Sequence, residues 1–403
     1  MHSDKRQSSM DASLFISGRL RFKGNIAMVS IAISFLVMII AVAVSSGFRR
    51  EVRSGISSIS GDIQLMPLNM NLMGEDSPVE SDAGYVSYVK ELDGVSEVIP
   101  VIYRAGIVRH DGEIHGVLVK GLPAGHQMFQ GSDTVALAVS IPSRLSDISG
   151  IGTGDRMLTY FVGDKVRARQ FNVVSVYDSL IETEDKFVVY AGLPDLQRLN
   201  GWDRNQVSAI EIMLDDDIRD DGAVRDMTEE IGALVYAHTD EDETTVVASS
   251  CVSRYPQIFD WLNLLDFNVF FILALMTVVA GFNMISGLLI MLFENISTIG
   301  LLKTLGMTDR SIAKVFLSSS AVLAAKGMAI GNALAILFCV IQSSTHLLRL
   351  DPENYFVSFV PVHVDLGLIL AADIFSFTAI MILLLVPCLF ISKVDPADTV
   401  RVR

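Results

Sequence analysis

The residues of this 403-residue chain that could do chemistry are few, and they do not converge. Gly150–Asp155 (GIGTGD) is rich enough in glycine for a phosphate cradle, but no strand immediately precedes it and no helix follows, so it reads as a turn. The acidic runs Asp215–Asp217 with Asp220 and Asp221, and Glu241–Glu243, could hold calcium; they lack EF-hand spacing and read as solvated faces. His110, His115, His126 and His238 show no HExxH or paired metal spacing. Cys251, Cys339 and Cys388 form neither a disulfide framework nor a CxxC cluster. No GxxxxGK[ST] loop is present to hold nucleotide phosphates, so the chain is not expected to hydrolyse ATP by itself. These residues describe a binder with no catalytic or metal site of its own.

Composition says where such a binder works. Hydrophobic residues make up 51% of the chain and charged ones 19%, with a mean hydropathy of +0.46, against about a quarter charged in soluble domains. Four stretches pass the length of about 20 apolar residues that a spanning helix needs. They are 24–48, 267–293, 312–343 (whose run Val315–Ser343 is broken only by Lys326) and 364–392 (whose run Leu366–Ser392 is broken only by Asp373). The first exceeds the 7–15 apolar residues of a signal peptide and is read as retained. Residues 48–265 hold 18 Lys+Arg and 35 Asp+Glu, a net of −17. One acidic domain, 49–253, therefore lies between spans 1 and 2, and a net charge of −15 for the chain argues against nucleic acid.

Lys and Arg near the span ends set the orientation. Lys5, Arg6, Arg19, Arg21 and Lys23 in segment 1–23, Lys303, Arg310 and Lys314 around loop 294–311, and Lys393, Arg401 and Arg403 in tail 393–403 lie on one side. Arg49, Arg50, Arg53, Arg254 and Arg349 lie on the other. Both termini are thus expected in the cytoplasm, with domain 49–253 and the short loop 344–363 outside.

The domain reads as α+β, in one body or two lobes. Ser81 can cap a helix to about Leu92, closed by Gly94. VSEVIPVIYRAGIVRH and EIHGVLVKG form a hairpin about Asp111-Gly112, and RMLTYFV and KVRARQFNVVSVY a second about Gly163-Asp164. KFVVYA and VSAIEIML are further strands, PDLQRLN and IRDDGAVRDMTEEIGAL further helices. Segment 254–266 reads as a stalk helix leading into span 2, with Ile258, Trp261, Leu262 and Leu265 on one face. Trp261 also suits a headgroup-level anchor.

Within the spans, Gly327 and Gly331 make a GxxxG pattern in span 3, expected to seat span 2 or 4 of the same chain in preference to a second copy. Lys326 and Asp373 are costly in lipid and are expected in the outer-to-middle zone, where they could pair. Between spans 2 and 3, Ile299, Leu302 and Leu305 line one side of a short helix that Gly306 can close, and Thr308 caps the next. That helix either lies on the bilayer or is a peg for a partner.

The loop from Glu294, E-x-x-x-x-I-G-x-L-K-T-L-G-M-T, resembles the coupling-helix signature of the FtsX/MacB-type ABC permeases, and most of all that of the lipoprotein-releasing permeases LolC and LolE. SSGFRREVRSGISSISGDIQL (45–65), FNVVSVYDSLIETEDKFVVYAGLPDLQRL (171–199) and SKVDPADTVRVR (392–403) resemble other parts of that family in the same order. Thr298 stands where the family usually has an acidic residue, and the arm at Gly163-Asp164 is shorter than the Pro-rich hook of LolC-like proteins.

The resemblance implies an α-helical membrane protein with four transmembrane helices and a large extracytoplasmic α+β domain, in a bacterial inner membrane. It implies a partner ATPase (LolD-like) that binds the ATP and Mg and docks on Glu294, Ile299, Leu302, Lys303, Thr304, Leu305 and Gly306. It implies a second permease copy, lipoprotein cargo and a periplasmic LolA-like carrier. Phe35, Met38 and Val42 share a face of span 1, and Phe267, Phe270 and Phe271 cluster at the end of span 2. Alone they read as lipid contacts; the resemblance makes them contacts for acyl chains entering between the two spans. A MacB-type efflux pump is expected to carry its ATPase ahead of span 1, and an FtsX-type division regulator a smaller external domain. A generic permease of another periplasmic substrate and a non-transporting scaffold are the other readings.

Overall fold

The computed structural model describes residues 25–70, 78–110, 112–129, 136–163, 165–178, 187–215, 218, 220–240, 243–351, 355 and 357–388. Segment 1–23, tail 393–403, Asp111, Asp164, Asp216, Asp217, Glu241 and Asp242 lie outside the described residues.

In chain order the elements are α1 (Asn25–Ser60), β1 (Ile63–Pro67), β2 (Val79–Glu80), α2 (Gly84–Lys90), β3 (Val95–His110), β4 (Glu113–Leu122), β5 (Ala138–Pro142), α3 (Ser143–Ser149), β6 (Arg156–Phe161), β7 (Arg167–Tyr177) and β8 (Phe187–Gly192). There follow α4 (Leu193–Asn200), β9 (Gln206–Val207), β10 (Ala209–Leu214), α5 (Asp221–His238), β11 (Val246–Ser250), α6 (Cys251–Arg254), α7 (Pro256–Glu294), α8 (Ile296–Thr304), α9 (Asp309–Thr345), α10 (Leu366–Leu383) and α11 (Leu385–Cys388). The chain divides into a helical unit (the described parts of Met1–Arg49, Leu262–Leu348 and Val360–Arg403) and a sheet unit (those of Arg50–Trp261 and Arg349–Phe359).

In the helical unit, α1, α7, α9 and α10 with α11 are long and apolar enough to cross a membrane. Small residues set their spacing. A Cβ on Gly331 would stand 2.5 Å from the Ala32 carbonyl oxygen and 2.9 Å from Phe35 Cβ, and one on Gly327 2.8 Å from Ile31. The GxxxG pattern therefore seats α1, not span 2 or 4 as its sequence position led us to expect. Gly281 of α7 lies under Leu383 of α10, and Thr277 and Ser376 share a hydrogen bond of 3.0 Å between the same two helices.

The sheet unit is organised by β3. Its first part, Val95–Val101, pairs with the strand β10 and its second, Ile102–His110, with β4, while Gly106–Val108 also pair with β6. Strands β3, β4, β8, β5, β7 and β6 thereby close on themselves, while β10, β1 and β11 extend the sheet from the first half of β3. Both expected hairpins are present, β3–β4 with His110 opposite Glu113 and β6–β7 with Phe161 opposite Arg167. Ser81 does not cap a helix: α2 starts at Gly84 without a side-chain cap, and the Ser81 amide donates to the Asn205 carbonyl at 2.7 Å.

The last turn of α1 sits in this unit and leaves carbonyls that no further helical turn can satisfy. Lys120 Nζ donates to the carbonyls of Ser58 and Ile59 at 3.3 and 2.9 Å. Arg254 Nη2 donates to those of Ser60 and Gly61 at 2.7 and 3.1 Å. Glu211 balances Lys120 at 2.8 Å and accepts from Tyr103; the Lys120 and Glu211 side chains are almost wholly buried. Burial pulls the Lys120 ammonium below the usual lysine value while Glu211 holds it up.

Lys120→Met should strand Glu211 and two carbonyls, costing about 3–5 kcal/mol, the penalty for breaking a buried ion pair from one side. Lys120→Met/Glu211→Leu should recover part of that loss. A denaturant titration followed by circular dichroism reads both, and a single variant as stable as the parent would show that the cluster does not hold the helix end.

Candidate functional site

The loop helix α8 is built to stay in place. Glu294 ends α7, and the Gly306 backbone at φ +88° closes α8 in a left-handed cap. The Met307 amide donates to the Leu302 carbonyl and the Gly306 amide to that of Lys303, each at 3.0 Å, which is the paired bonding of a Schellman ending. Thr308 caps α9 by accepting from the Ser311 amide, and Lys303 Nζ reaches Asp309 Oδ1 at 3.0 Å.

Which side of α8 faces outward differs from the expected stripe. Ile299 is 1% exposed and belongs to the helical core, where Leu302 and Met307 also pack. Leu301 is 58% and Leu305 75% exposed, one turn apart, with Thr298 and Thr304 exposed beside them. Ile299 and Leu302 are thus corrected from docking to anchoring residues, and Leu301 joins the free face. The i, i+3 spacing of 299, 302 and 305 drifts around the helix by one residue's width per turn, so the last member lands with Leu301.

The second feature is a groove of about 430 Å³ between α1 and α7, lined by Val37, Ile40, Ala41, Val44, Ser45 and Phe48 on one side and by Leu265, Asn268, Val269 and Ile272 on the other. Phe35, Met38 and Val42 share a face as expected, but that face is buried, with Phe35 set against Gly331 of α9. They are corrected from groove contacts to core residues; the i, i+3, i+4, i+7 set at 37, 40, 41 and 44 is the one that lines the groove. Phe267, Phe270 and Phe271 are exposed and stack edge-on with one another, outside the groove lining.

Polar groups lie beside the groove. Arg49 of α1 pairs with Asp266 of α7 and donates to Asn263 Oδ1 at 2.9 Å, while Ser45 Oγ donates to Asp266 Oδ1 at 2.5 Å. Arg53, in the sheet unit, lies 3.7 Å from Asp62 and 4.0 Å from Asp221. Two of the arginines that ran against the charge rule therefore have carboxylate partners within the fold.

Lys326 and Asp373 are not brought together. Gly327, its neighbour, packs at the level of Met28, so Lys326 lies toward the start of α1; its side chain is exposed. Asp373 is buried and accepts from Asn332 Nδ2 at 2.6 Å. Asn332, Asn263 and Asp266 are site residues that the sequence reading passed over; each is a polar side chain in or beside an apolar run.

In the sheet unit, Gly150–Asp155 is a turn between α3 and β6, where the Gly152 amide donates to Asp155 Oδ2 at 2.9 Å. Among the described residues no group of three or more His, Cys, Asp or Glu is placed to hold a metal.

Residues 26–230 match the MacB-like periplasmic core domain, and residues 270–396 the FtsX-like permease C-terminal domain. The chain belongs to the MacB/FtsX-type family of ABC permeases. Two LolC proteins, described as lipoprotein-releasing system transmembrane proteins, are similar over 96% of this chain and 95% of their own: one from Neisseria meningitidis serogroup B at 22% identity, one from Xylella fastidiosa at 20%. The periplasmic region of MacB from Actinobacillus actinomycetemcomitans aligns with 49% of this chain and 91% of its own at 11% identity and a TM-score of 0.30. Membership of this family implies an ATPase partner and a dimeric arrangement.

Leu301→Asp/Leu305→Asp should leave folding and thermal stability unchanged and abolish co-purification of the ATPase, since burying a leucine is worth about 1.5–3 kcal/mol. Ile299→Asp should instead destabilise the protein itself. Normal ATPase capture by the double variant would remove α8 as the docking element.

Proposed function

We propose that this chain is the permease subunit of a lipoprotein-releasing ABC transporter in a bacterial inner membrane. The sheet unit is periplasmic, and α8 with both termini is cytoplasmic. A LolD-like ATPase subunit binds ATP and Mg and docks on Leu301 and Leu305. A second permease copy completes the complex, and a LolA-like carrier receives the cargo. The observation that carries this reading is the apolar groove between α1 and α7; the likeness to lipoprotein-releasing LolC proteins along 96% of the chain supports it.

In this reading the acyl chains of a lipoprotein lie along Val37, Ile40 and Ala41 on one wall and Val269 and Ile272 on the other. Each buried methylene contributes about 0.8 kcal/mol, so the hold on cargo grows with the length of chain admitted. ATP-driven approach of the spans narrows the groove and returns the chains to a carrier. No covalent chemistry is required of this subunit.

A photo-crosslinker at Ile40 or Val269 should capture triacylated lipoprotein without ATP, and ATP with the ATPase should reduce the adduct. The same probe at Phe35 should capture none. Adducts with phospholipid only, indifferent to ATP, would exclude lipoprotein as cargo and leave a permease of another periplasmic substrate; failure to co-purify an ATPase would favour a scaffold.

An impermeant thiol reagent applied to intact spheroplasts should label Tyr236→Cys and spare Thr304→Cys, both exposed positions. The reverse pattern would overturn the orientation and the transporter reading with it.

A further inference from the structure

Helices α9 and α10 carry a polar pair whose hydrogen bonding is incomplete. Asn332 Nδ2 donates to Asp373 Oδ2 at 2.6 Å, and Asp373 is only 6% exposed. The other oxygens, Asp373 Oδ1 and Asn332 Oδ1, are buried and have no donor among the described residues. A buried acceptor without a donor forfeits its hydration, and an ionised carboxylate without a partner in a span costs far more. Both penalties fall on this one pair.

The surroundings offer no balancing charge. Residues 25–48 of α1 and 267–293 of α7 contain no titratable side chain, and α10 contains no second one. Along the α7–α10 seam the Thr277 and Ser376 hydroxyls bond to each other. On α9 the titratable groups within the apolar run are Lys326, which is exposed, and the Cys339 thiol, which is neutral when buried. A hard metal cation asks for six or more oxygens, and the pair presents two.

One proton satisfies both orphaned oxygens. A neutral carboxyl group has one O–H donor. With Oδ2 already accepting from the amide, an O–H on Oδ1 is the donor that Asn332 Oδ1 lacks. We propose that Asp373 is an intramembrane proton-binding site: it holds a proton in this arrangement of the helices and closes a two-bond acid–amide ring with Asn332. Losing the proton places a bare carboxylate against the amide oxygen and removes one of the ring's two bonds. The ring carries no net charge, which is what the apolar surroundings demand.

Infrared spectroscopy of the full-length protein in nanodiscs, labelled with ¹³C-aspartate, tests the site without reference to transport. The difference between the parent and Asp373→Asn at neutral pH should contain one protonated-carboxyl band that shifts in D₂O and is lost in the variant. Its absence, with ionised carboxylate only, overturns the proposal. Asp373→Asn preserves a neutral two-bond ring, so its melting temperature should match the parent, whereas Asp373→Ala should melt earlier. An Asp373→Asn protein that melts as early as Asp373→Ala, or does not fold, would show that a neutral ring is not what joins the helices.

Discussion

A helix that ends inside a folded domain must find donors for its last carbonyls, and the end of α1 states that constraint plainly. Ser58, Ile59, Ser60 and Gly61 each present a carbonyl that no continuing turn can bond. Their donors come from far along the chain, Lys120 from β4 and Arg254 from α6, and Tyr103 of β3 donates to the Glu211 carboxylate beside them. A lysine can be buried this deeply only with its charge answered, which places Glu211 of β10. Four separate elements are thereby tied to one helix terminus. The long strand β3, shared by the closed set of strands and by the β10–β1–β11 extension, brings these elements to the same place.

In the helical unit the equivalent constraint is close approach. Gly327 and Gly331 let α9 meet α1 nearly backbone to backbone, and the face of α1 that meets them carries Ile31, Phe35 and Met38 into the core. A helix has only one other broad face. Val37, Ile40, Ala41 and Val44 are left toward α7, and there the packing is open enough to leave a groove. The groove is thus a consequence of where the glycines sit. Arg49, Asp266, Asn263 and Ser45 lie beside it and join α1 to α7 through charge-assisted bonds.

Much of this was legible from residues alone. Apolar length marked the four long helices, turn residues the two hairpins, and Gly306 with Thr308 the loop helix and its neighbour. What the sequence could not say was which face of an almost wholly apolar helix turns inward. On α1 the sets 35, 38, 42 and 37, 40, 44 are chemically alike, and only the glycines on another helix distinguish them. On α8 a helix of nine residues is too short for its spacing to separate an anchoring stripe from an exposed one. The strands β1, β5 and β11 were passed over for a related reason. Each is five residues long, and β5 is buried on both faces, so no polar alternation marks it. Ser81 shows the opposite error: a good capping residue spends its amide on Asn205, and the helix begins later without it.

Exposed leucines carry the functional argument further than buried ones. A leucine in the core explains itself through packing, as Ile299 and Leu302 do. Leu301 and Leu305 project from a helix whose C-terminal end is fastened by the Schellman ending, the Thr308 cap of the next helix and the Lys303–Asp309 pair, so their exposure is not the fraying of a loose loop. A short helix held this firmly, with two apolar side chains turned away from its own core, fits one half of an interface or a bilayer surface. The charge beside it decides between these. A helix resting on anionic headgroups gathers several lysines and arginines on its polar face, and α8 has one, Lys303, which is engaged by Asp309. In the reading proposed above, Leu301 and Leu305 are the apolar part of the surface that meets the ATPase.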